Sequence, residues 1–285
     1  MNKQKRIAAI HDISGFGKCS LTVALPILSA AGIEVCAIPT AVLSSHTGGL
    51  PNYTYRDLTA DIPGFVNQWK ELDLQFDALY SGYLGSYEQI AIVSDLFDTF
   101  KTEDNFIMVD PVMGDDGILY KTVTSEMAEG MAQLCRKADL IVPNFTEAAF
   151  LLGEKFREGP YTREYVEDLL RRLSALGPKQ VVITGVWFSA DLLGAVGYSR
   201  ETENVSYAFS QKIKGRYHGT GDIFASSLLS GILNEMGLDN AIQLAADFTA
   251  GCIRRTSEAK TDARFGVNFE AGLTRFMRQL GITEE

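Results

Sequence analysis

The chain has 285 residues, a formal net charge of -10 and 46% apolar residues, enough to bury a substantial core. That charge argues against nucleic acid and anionic membrane surfaces as partners, while leaving room for a locally positive pocket. No apolar run approaches the ~20 residues of a membrane span. The basic start, Met1 to Arg6, runs into an apolar stretch (Ile7 to Ile10) too short for a signal peptide, so a cytoplasmic protein is expected. Cys19, Cys36, Cys135 and Cys252 have no CxxC spacing and are expected to be reduced and structural, without a metal cluster. The length exceeds the usual ~100–200 residues of a domain, but α/β units often run longer, and one domain over residues 1–285 is expected.

In chain order, Arg6 to His11 reads as a strand, followed by Gly15, Gly17 and an apolar helix from Cys19 to Ala31. Val35 to Thr40 is the next strand. After a polar loop through Asn52 come a helix (Ile62 to Leu72), a strand (Ala78 to Ser81) and a helix (Tyr87 to Phe100). Phe106 to Val109 is a buried-type strand stopping at Asp110-Pro111, Ser125 to Arg136 a helix, and Leu140 to Val142 a strand stopping at Pro143-Asn144. Arg163 to Leu176 is helical and Val181 to Thr184 a strand. A β-rich stretch, Leu192 to Phe209, then leads into a glycine motif and three closing helices. Unbroken apolar strands are buried on both faces, and helices between them imply a mainly parallel sheet with right-handed crossovers.

Ligands of such sheets bind beyond the carboxyl ends of the strands. Polar residues gather at four of these ends: His11-Asp12 with Ser14-Gly15, Asp110 with Asp115, Asn144 with Glu147, and Thr184-Gly185. The glycine motif is His218-Gly219-Thr220-Gly221-Asp222-Ile223-Phe224-Ala225. Its glycines let backbone approach an anion, and the helix that follows begins with unpaired N–H groups and partial positive charge. Asp222 would repel an anion, which suits a general base beside a phosphoryl group under attack; Thr220 or Asp222 could equally cap the helix. Asp110 and Glu147, from strands expected to be neighbours, suit Mg²⁺, which needs one or two carboxylates beside phosphate oxygens; capping by Asp110 and Asn144 is the plainer reading of each alone. Gly15-Phe16-Gly17-Lys18-Cys19-Ser20 has Ser20 where a dinucleotide fingerprint needs its third glycine, and it also fails the P-loop pattern. Its glycines are expected to let substrate lie against the backbone, with Asp12 as a substrate ligand.

Seven segments carry a family likeness across nearly the whole chain. They are Asp12-Ile13-Ser14-Gly15-Phe16-Gly17, Val42-Leu43-Ser44-Ser45-His46-Thr47-Gly48, Ser81-Gly82-Tyr83-Leu84-Gly85-Ser86, Val109-Asp110-Pro111-Val112-Met113-Gly114-Asp115, Val142-Pro143-Asn144-Phe145-Thr146-Glu147-Ala148, Val182-Ile183-Thr184-Gly185 and Gly219-Thr220-Gly221-Asp222. Their order resembles the ribokinase-like superfamily in its pyridoxal and pyridoxamine kinase branch, with hydroxymethylpyrimidine kinase relatives. The resemblance implies a three-layer α/β/α sandwich around a mostly parallel sheet, in a homodimer. It implies transfer of the ATP γ-phosphoryl to the hydroxymethyl group of a vitamin B6 vitamer, with Asp222 as base and Gly219, Thr220, Gly221 and Asp222 forming the anion hole. Asp110 and Glu147 would place Mg²⁺. Asn144, Glu147, Thr184, Tyr120 and Asp115 would lie along the nucleotide, and Asp12, Thr47 and Tyr83 would hold the ring; a monovalent cation is a further possible cofactor.

The likeness is mixed at the ring. His11-Asp12-Ile13-Ser14 looks like a hydroxymethylpyrimidine kinase opening, whereas Ser44 to Gly48 and Ser81-Gly82-Tyr83 look like pyridoxal kinase. A hydroxymethylpyrimidine kinase is therefore the alternative. A B6 sensor without turnover and a dinucleotide-dependent oxidoreductase using Gly15 and Gly17 stand behind it. His11, His46 and His218 are expected to make ring or loop contacts rather than to act as acid or base, and Trp69 and Trp187 to pack.

Overall fold

The computed structural model describes residues 4–282; the expectation for Met1 to Lys3 lies outside the described residues. Along the chain run β1 (Arg6–Ser14), α1 (Leu21–Ala30), β2 (Glu34–Leu43), β3 (Tyr55–Asp57), α2 (Ile62–Glu71), β4 (Ala78–Ser81), α3 (Tyr87–Phe100), β5 (Phe106–Val109), β6 (Gly114–Asp115) and β7 (Ile118–Leu119). They are followed by α4 (Ser125–Cys135), β8 (Leu140–Ile141), α5 (Phe145–Leu151), α6 (Arg163–Ala175), β9 (Gln180–Val186), β10 (Leu192–Ser199), β11 (Val205–Gln211), α7 (Thr220–Leu233), α8 (Leu238–Ala259) and α9 (Leu273–Gln279).

Nine strands form one sheet in the order β11-β10-β9-β8-β5-β4-β1-β2-β3. The six from β9 to β2 are parallel, as their unbroken apolar runs require. β10 is antiparallel to both its neighbours and β3 is antiparallel to β2, so both margins depart from the parallel pattern. Consecutive strand residues pack in opposite directions. Ala8, Ile10, Leu79, Ile107 and Ile141 face a core built with α2 to α6, whereas Ile7, Ala9, Ala78, Tyr80, Met108 and Leu140 face one built with α1, α7, α8 and α9. This gives the expected three layers.

The chain leaves β1 for β2 on one side, then crosses to β4 on the other and continues away through β5, β8 and β9. The topological switch point lies between β1 and β4, and the crevice at their carboxyl ends is where this architecture holds ligands. Several boundaries differ from expectation there. β1 continues through Asp12 to Ser14 across an irregularity between His11 and Ile13, and its polar end hides the continuation from an apolar pattern. β9 continues past Thr184 and Gly185 because Val186 still pairs with Gly194. Glu147 sits in the first turn of α5 rather than at a strand end. The β6–β7 hairpin turns on Asp116 (φ 50) and Gly117 (φ 78), the two positive values a tight two-residue turn demands.

Candidate active site

α7 begins at Gly219, whose left-handed backbone (φ 75) is available to glycine and strained for other residues. A Cβ there would overlap the Lys18 carbonyl oxygen, so the glycine also lets α7 seat on the loop after β1. No side chain caps this helix. Thr220 Oγ1 donates to the Tyr217 carbonyl at 3.2 Å, and the Asp222 carboxylate makes no capping bond. The capping alternative for these two residues therefore falls. The first N–H groups of α7 have no intrahelical acceptor, and a Cβ on Gly221 would meet nothing within 4 Å, so open space adjoins them. Burial pushes Asp222 up to about 6; Asp12 acts in the same direction, and the Ser20 backbone N–H opposes it.

Asp110 follows β5 directly and is buried, and among the described residues no donor hydrogen-bonds its carboxylate. Glu147 is also buried, and here the capping reading of Asn144 holds. The Asn144 side chain accepts the Glu147 N–H at 3.0 Å, while Glu147 Oε2 accepts the Asn144 N–H at 2.8 Å. Glu147 Oε1 accepts the Met113 N–H at 3.1 Å, and Asn144 Nδ2 donates to the Gly114 carbonyl at 2.9 Å. These bonds fasten α5 to the segment after β5 and set Glu147 beside Asp110. Desolvation first, then Glu147 and Asp222, holds Asp110 well above the ordinary carboxylate range; desolvation likewise raises Glu147. Two buried carboxylates with no protein cation are a hard-oxygen set that a divalent cation would neutralise, so Mg²⁺ fits. Among the described residues no three side chains are arranged to hold a metal alone, consistent with an ion that takes its remaining ligands from water and phosphate. Tyr120 and Asp115 border the same space: burial, then Glu147, Asp115, Asp110 and Asp222, raise the Tyr120 phenol. Thr184 is adjacent in the sheet, its N–H bonded to the Pro143 carbonyl at 3.0 Å.

On the β1 side, Asp12 is buried and accepts a bond from Ser14 Oγ at 3.3 Å. Burial raises it, and the Ser20 and Ser14 hydroxyls oppose the rise. Tyr83 is partly buried and close enough to Asp12 for the carboxylate to raise its phenol, although burial is the main cause; its hydroxyl donates to Thr122 Oγ1 at 2.9 Å. Thr47 is exposed on the loop after β2, beside His46. His46 Nδ1 accepts the Gly48 N–H at 3.0 Å, which assigns the proton to Nε2, facing the Arg264 carbonyl at 2.6 Å. The His46 and His218 rings lie 5.1 Å apart, joining the Thr47 loop to the start of α7. His11 is fully buried against Tyr80, ring centroids 4.4 Å apart, and burial pushes it down to about 3. It is neutral and packs in the core, and among the described residues neither ring nitrogen finds a hydrogen-bond partner, so the expected ring or loop contact is not made.

A Cβ on Gly17 would overlap the His46 ring, and one on Gly15 would press the Leu43 and Ser44 carbonyls at 3.3 Å. These glycines make room for the 43–46 segment, a packing role that accompanies any contact with substrate. Three features escaped the sequence reading. Ser20 adopts φ 50, ψ -132, a strained conformation between Asp12 and Asp222. Arg216 pairs with Asp116, joining the hairpin tip to the segment before α7. Lys18 pairs with Glu270 at 2.8 Å, clasping the chain's C-terminal segment over the first loop.

Comparison with known proteins finds similarity in sequence and fold. A family model described as phosphomethylpyrimidine kinase matches residues 29–266. A Bacteroides thetaiotaomicron protein assigned as a phosphomethylpyrimidine kinase, in a crystal form with pyridoxal, is 40% identical with a TM-score of 0.92, covering 96% of each chain. Pyridoxal kinase from Lactobacillus plantarum is 30% identical with a TM-score of 0.88, covering 97% of this chain and 98% of that one. The Bos taurus pyridoxal kinase is 28% identical over 257 residues, 81% of this chain and 78% of its own length.

Proposed function

The chain belongs to the phosphomethylpyrimidine kinase family, and from that membership and the site geometry we propose that it transfers the γ-phosphoryl of ATP to the 5′-hydroxymethyl group of a vitamin B6 vitamer. The observation that carries the reading is Asp222. It stands at an uncapped helix start, beside open space, with its carboxylate raised to about 6. A helix N-terminus binds phosphate, and a carboxylate there has no use to a protein that only binds anions. It has one if a hydroxyl must lose its proton as the phosphoryl arrives.

The alcohol oxygen attacks phosphorus, forming the new O–P bond as the O–P bond to ADP breaks, and Asp222 takes the alcohol proton. The amides of Gly219 to Asp222 stabilise charge on the transferring phosphoryl. Asn144 and Thr184 lie along the nucleotide phosphates, with Tyr120 near them and Asp115 beside the nucleotide. Asp12, Thr47 and Tyr83 orient the ring so that its hydroxymethyl group faces Asp222, and the His46–His218 contact ties ring loop to anion hole. Mg²⁺, held with Asp110 and Glu147, would neutralise phosphate charge. A monovalent cation would be an accessory, and we read residues 1–285 as one catalytic unit acting in a homodimer.

The B6 reading is supported by pyridoxal kinases among the relatives and by the B. thetaiotaomicron crystal form with pyridoxal. The family description supports the second reading, a hydroxymethylpyrimidine kinase. Purified protein with ATP and Mg²⁺, offered pyridoxal, pyridoxamine, pyridoxine and hydroxymethylpyrimidine in parallel with products detected by mass, separates the two. Phosphorylated B6 products are expected; turnover of the pyrimidine alone moves the enzyme to the second reading.

A further inference from the structure

We propose that Gln89 is a positioning residue that sets the angle of Tyr83 against the substrate ring. The proposal rests on the reading, above, that Tyr83 contacts that ring. Ser86-Tyr87-Glu88-Gln89 has the spacing of a capping box, and Ser86 Oγ accepts the Gln89 N–H at 3.1 Å. An ordinary capping box would account for no more than that. The Gln89 side chain is fully buried, and it reaches one residue further back than a capping box needs, where Oε1 accepts the Gly85 N–H at 2.7 Å.

Its Nε2 is also committed, donating to the Thr40 carbonyl at 3.0 Å and to Thr59 Oγ1 at 2.9 Å, with Asp57 Oδ2 at 3.4 Å. One amide therefore ties three segments: the turn after β4, the middle of β2, and the corner after β3. Tyr83 lies between these ties. Thr40 Oγ1 donates to the Tyr83 carbonyl at 3.5 Å, Leu84 is buried, and Gly85 presses so closely on the Tyr55 hydroxyl that a Cβ would overlap it. With its backbone fixed at 85 by Gln89 and its hydroxyl fixed by Thr122, the Tyr83 ring has little freedom to turn. An apolar side chain at 89 would take this partner from the Gly85 N–H and the Thr59 hydroxyl, leaving the Thr40 carbonyl only its bond from the Leu58 N–H at 3.1 Å, and the turn is expected to shift to satisfy the Gly85 N–H.

The test compares Gln89→Leu, Tyr83→Ala and the double variant by steady-state kinetics, with KM determined separately for the vitamer and for ATP. Gln89→Leu is expected to raise the vitamer KM by roughly tenfold, the scale at which small misplacements act, with the ATP KM unchanged. In the Tyr83→Ala background the same substitution is expected to add almost nothing, because the ring it positions is gone. An unchanged vitamer KM, a parallel rise in the ATP KM, or full additivity in the double variant overturns the proposal. Should Gln89→Leu fail to fold, Thr59→Val removes one of the Nε2 acceptors and is expected to move the vitamer KM in the same direction by about twofold, again without moving that for ATP; no movement overturns the proposal. Wild-type protein that phosphorylates no B6 vitamer overturns the functional reading and this proposal together, whereas active wild type with an indifferent Gln89→Leu overturns this proposal alone.

Discussion

The two ends of the parallel strands treat their acids in opposite ways. At the amino end, Asp77 accepts the Arg6 N–H at 2.7 Å, Glu34 pairs with Arg6 Nε at 2.9 Å, and Asp139 takes Lys101 at 2.6 Å and the Ile107 N–H at 2.9 Å. At the carboxyl end, among the described residues, Asp12, Asp110, Glu147 and Asp222 have no Lys, Arg or His within ion-pair distance, and each is raised by burial. Lys18, on the loop that follows β1, is engaged by Glu270 instead. Paired acids hold a fold together; unpaired buried acids weaken it and persist where a ligand completes them. The amino end pairs these acids within the protein, and the carboxyl end leaves its four unpaired.

The comparison can be broken most easily at Asp222. Asp222→Asn keeps shape and removes the base, so turnover is expected to fall at least ~100-fold with the ATP KM nearly unchanged; near-normal turnover removes Asp222 from the mechanism. The two glycines beside it should separate fold from function. Gly219→Ala, at φ 75 and against the Lys18 carbonyl, is expected to lower the melting temperature as well as turnover. Gly221→Ala faces open space and is expected to spare stability while lowering turnover about tenfold by crowding the phosphoryl. Equal melting temperatures for the two variants would contradict this division.

The pH dependence follows from the direction of the shift. Asp222 must be ionised to act, and its value of about 6 means the protonated, inactive form takes over in mild acid. The kcat/KM for the alcohol should fall about tenfold per pH unit below that value, and an undiminished rate at pH 5 would exclude this base. Stability should move oppositely at the two ends. A carboxylate raised from its ordinary 3.8 to about 6 costs nothing below pH 4, and its penalty grows between the two values and is complete above 6. At pH 7.5, Asp222→Asn is therefore expected to stabilise by about 1–3 kcal/mol, with no gain at pH 4, whereas Asp139→Asn, which loses its pairing with Lys101, is expected to destabilise by about 1 kcal/mol. Thermal unfolding at both pH values reads these signs, and destabilisation by Asp222→Asn would end the contrast.

Much of this was legible in the residues, for identifiable reasons. Phe106 to Val109 and Ala78 to Ser81 announce buried parallel strands because nothing polar interrupts them, and both match the observed limits. Gly219 to Asp222 announces a glycine-started helix with free N–H groups, because that needs no distant residue, and α7 begins there as expected. Asn144-Phe145-Thr146-Glu147 carries the capping-box spacing that reveals the start of α5, a local signal that a search for metal ligands alone passes over. Asp116-Gly117 likewise marks the hairpin that was passed over. Other features had no local signal. Whether Gly17 makes room for a ligand or for His46 depends on a side chain 29 residues away, and the buried bonds of Gln89 depend on β2 and β3 arriving beside it.

We propose that the unpaired carboxyl-end acids await a cation and a phosphate chain. Calorimetric titration with ATP, with and without Mg²⁺, in two buffers of different ionisation enthalpy and at a pH where the nucleotide is fully ionised, tests it directly. Burial pushes both Asp110 and Glu147 toward the protonated form and a bound cation favours the ionised form, so tight binding is expected to require Mg²⁺ and to release protons into the buffer. Binding of equal affinity without Mg²⁺, with no proton released, would contradict the account.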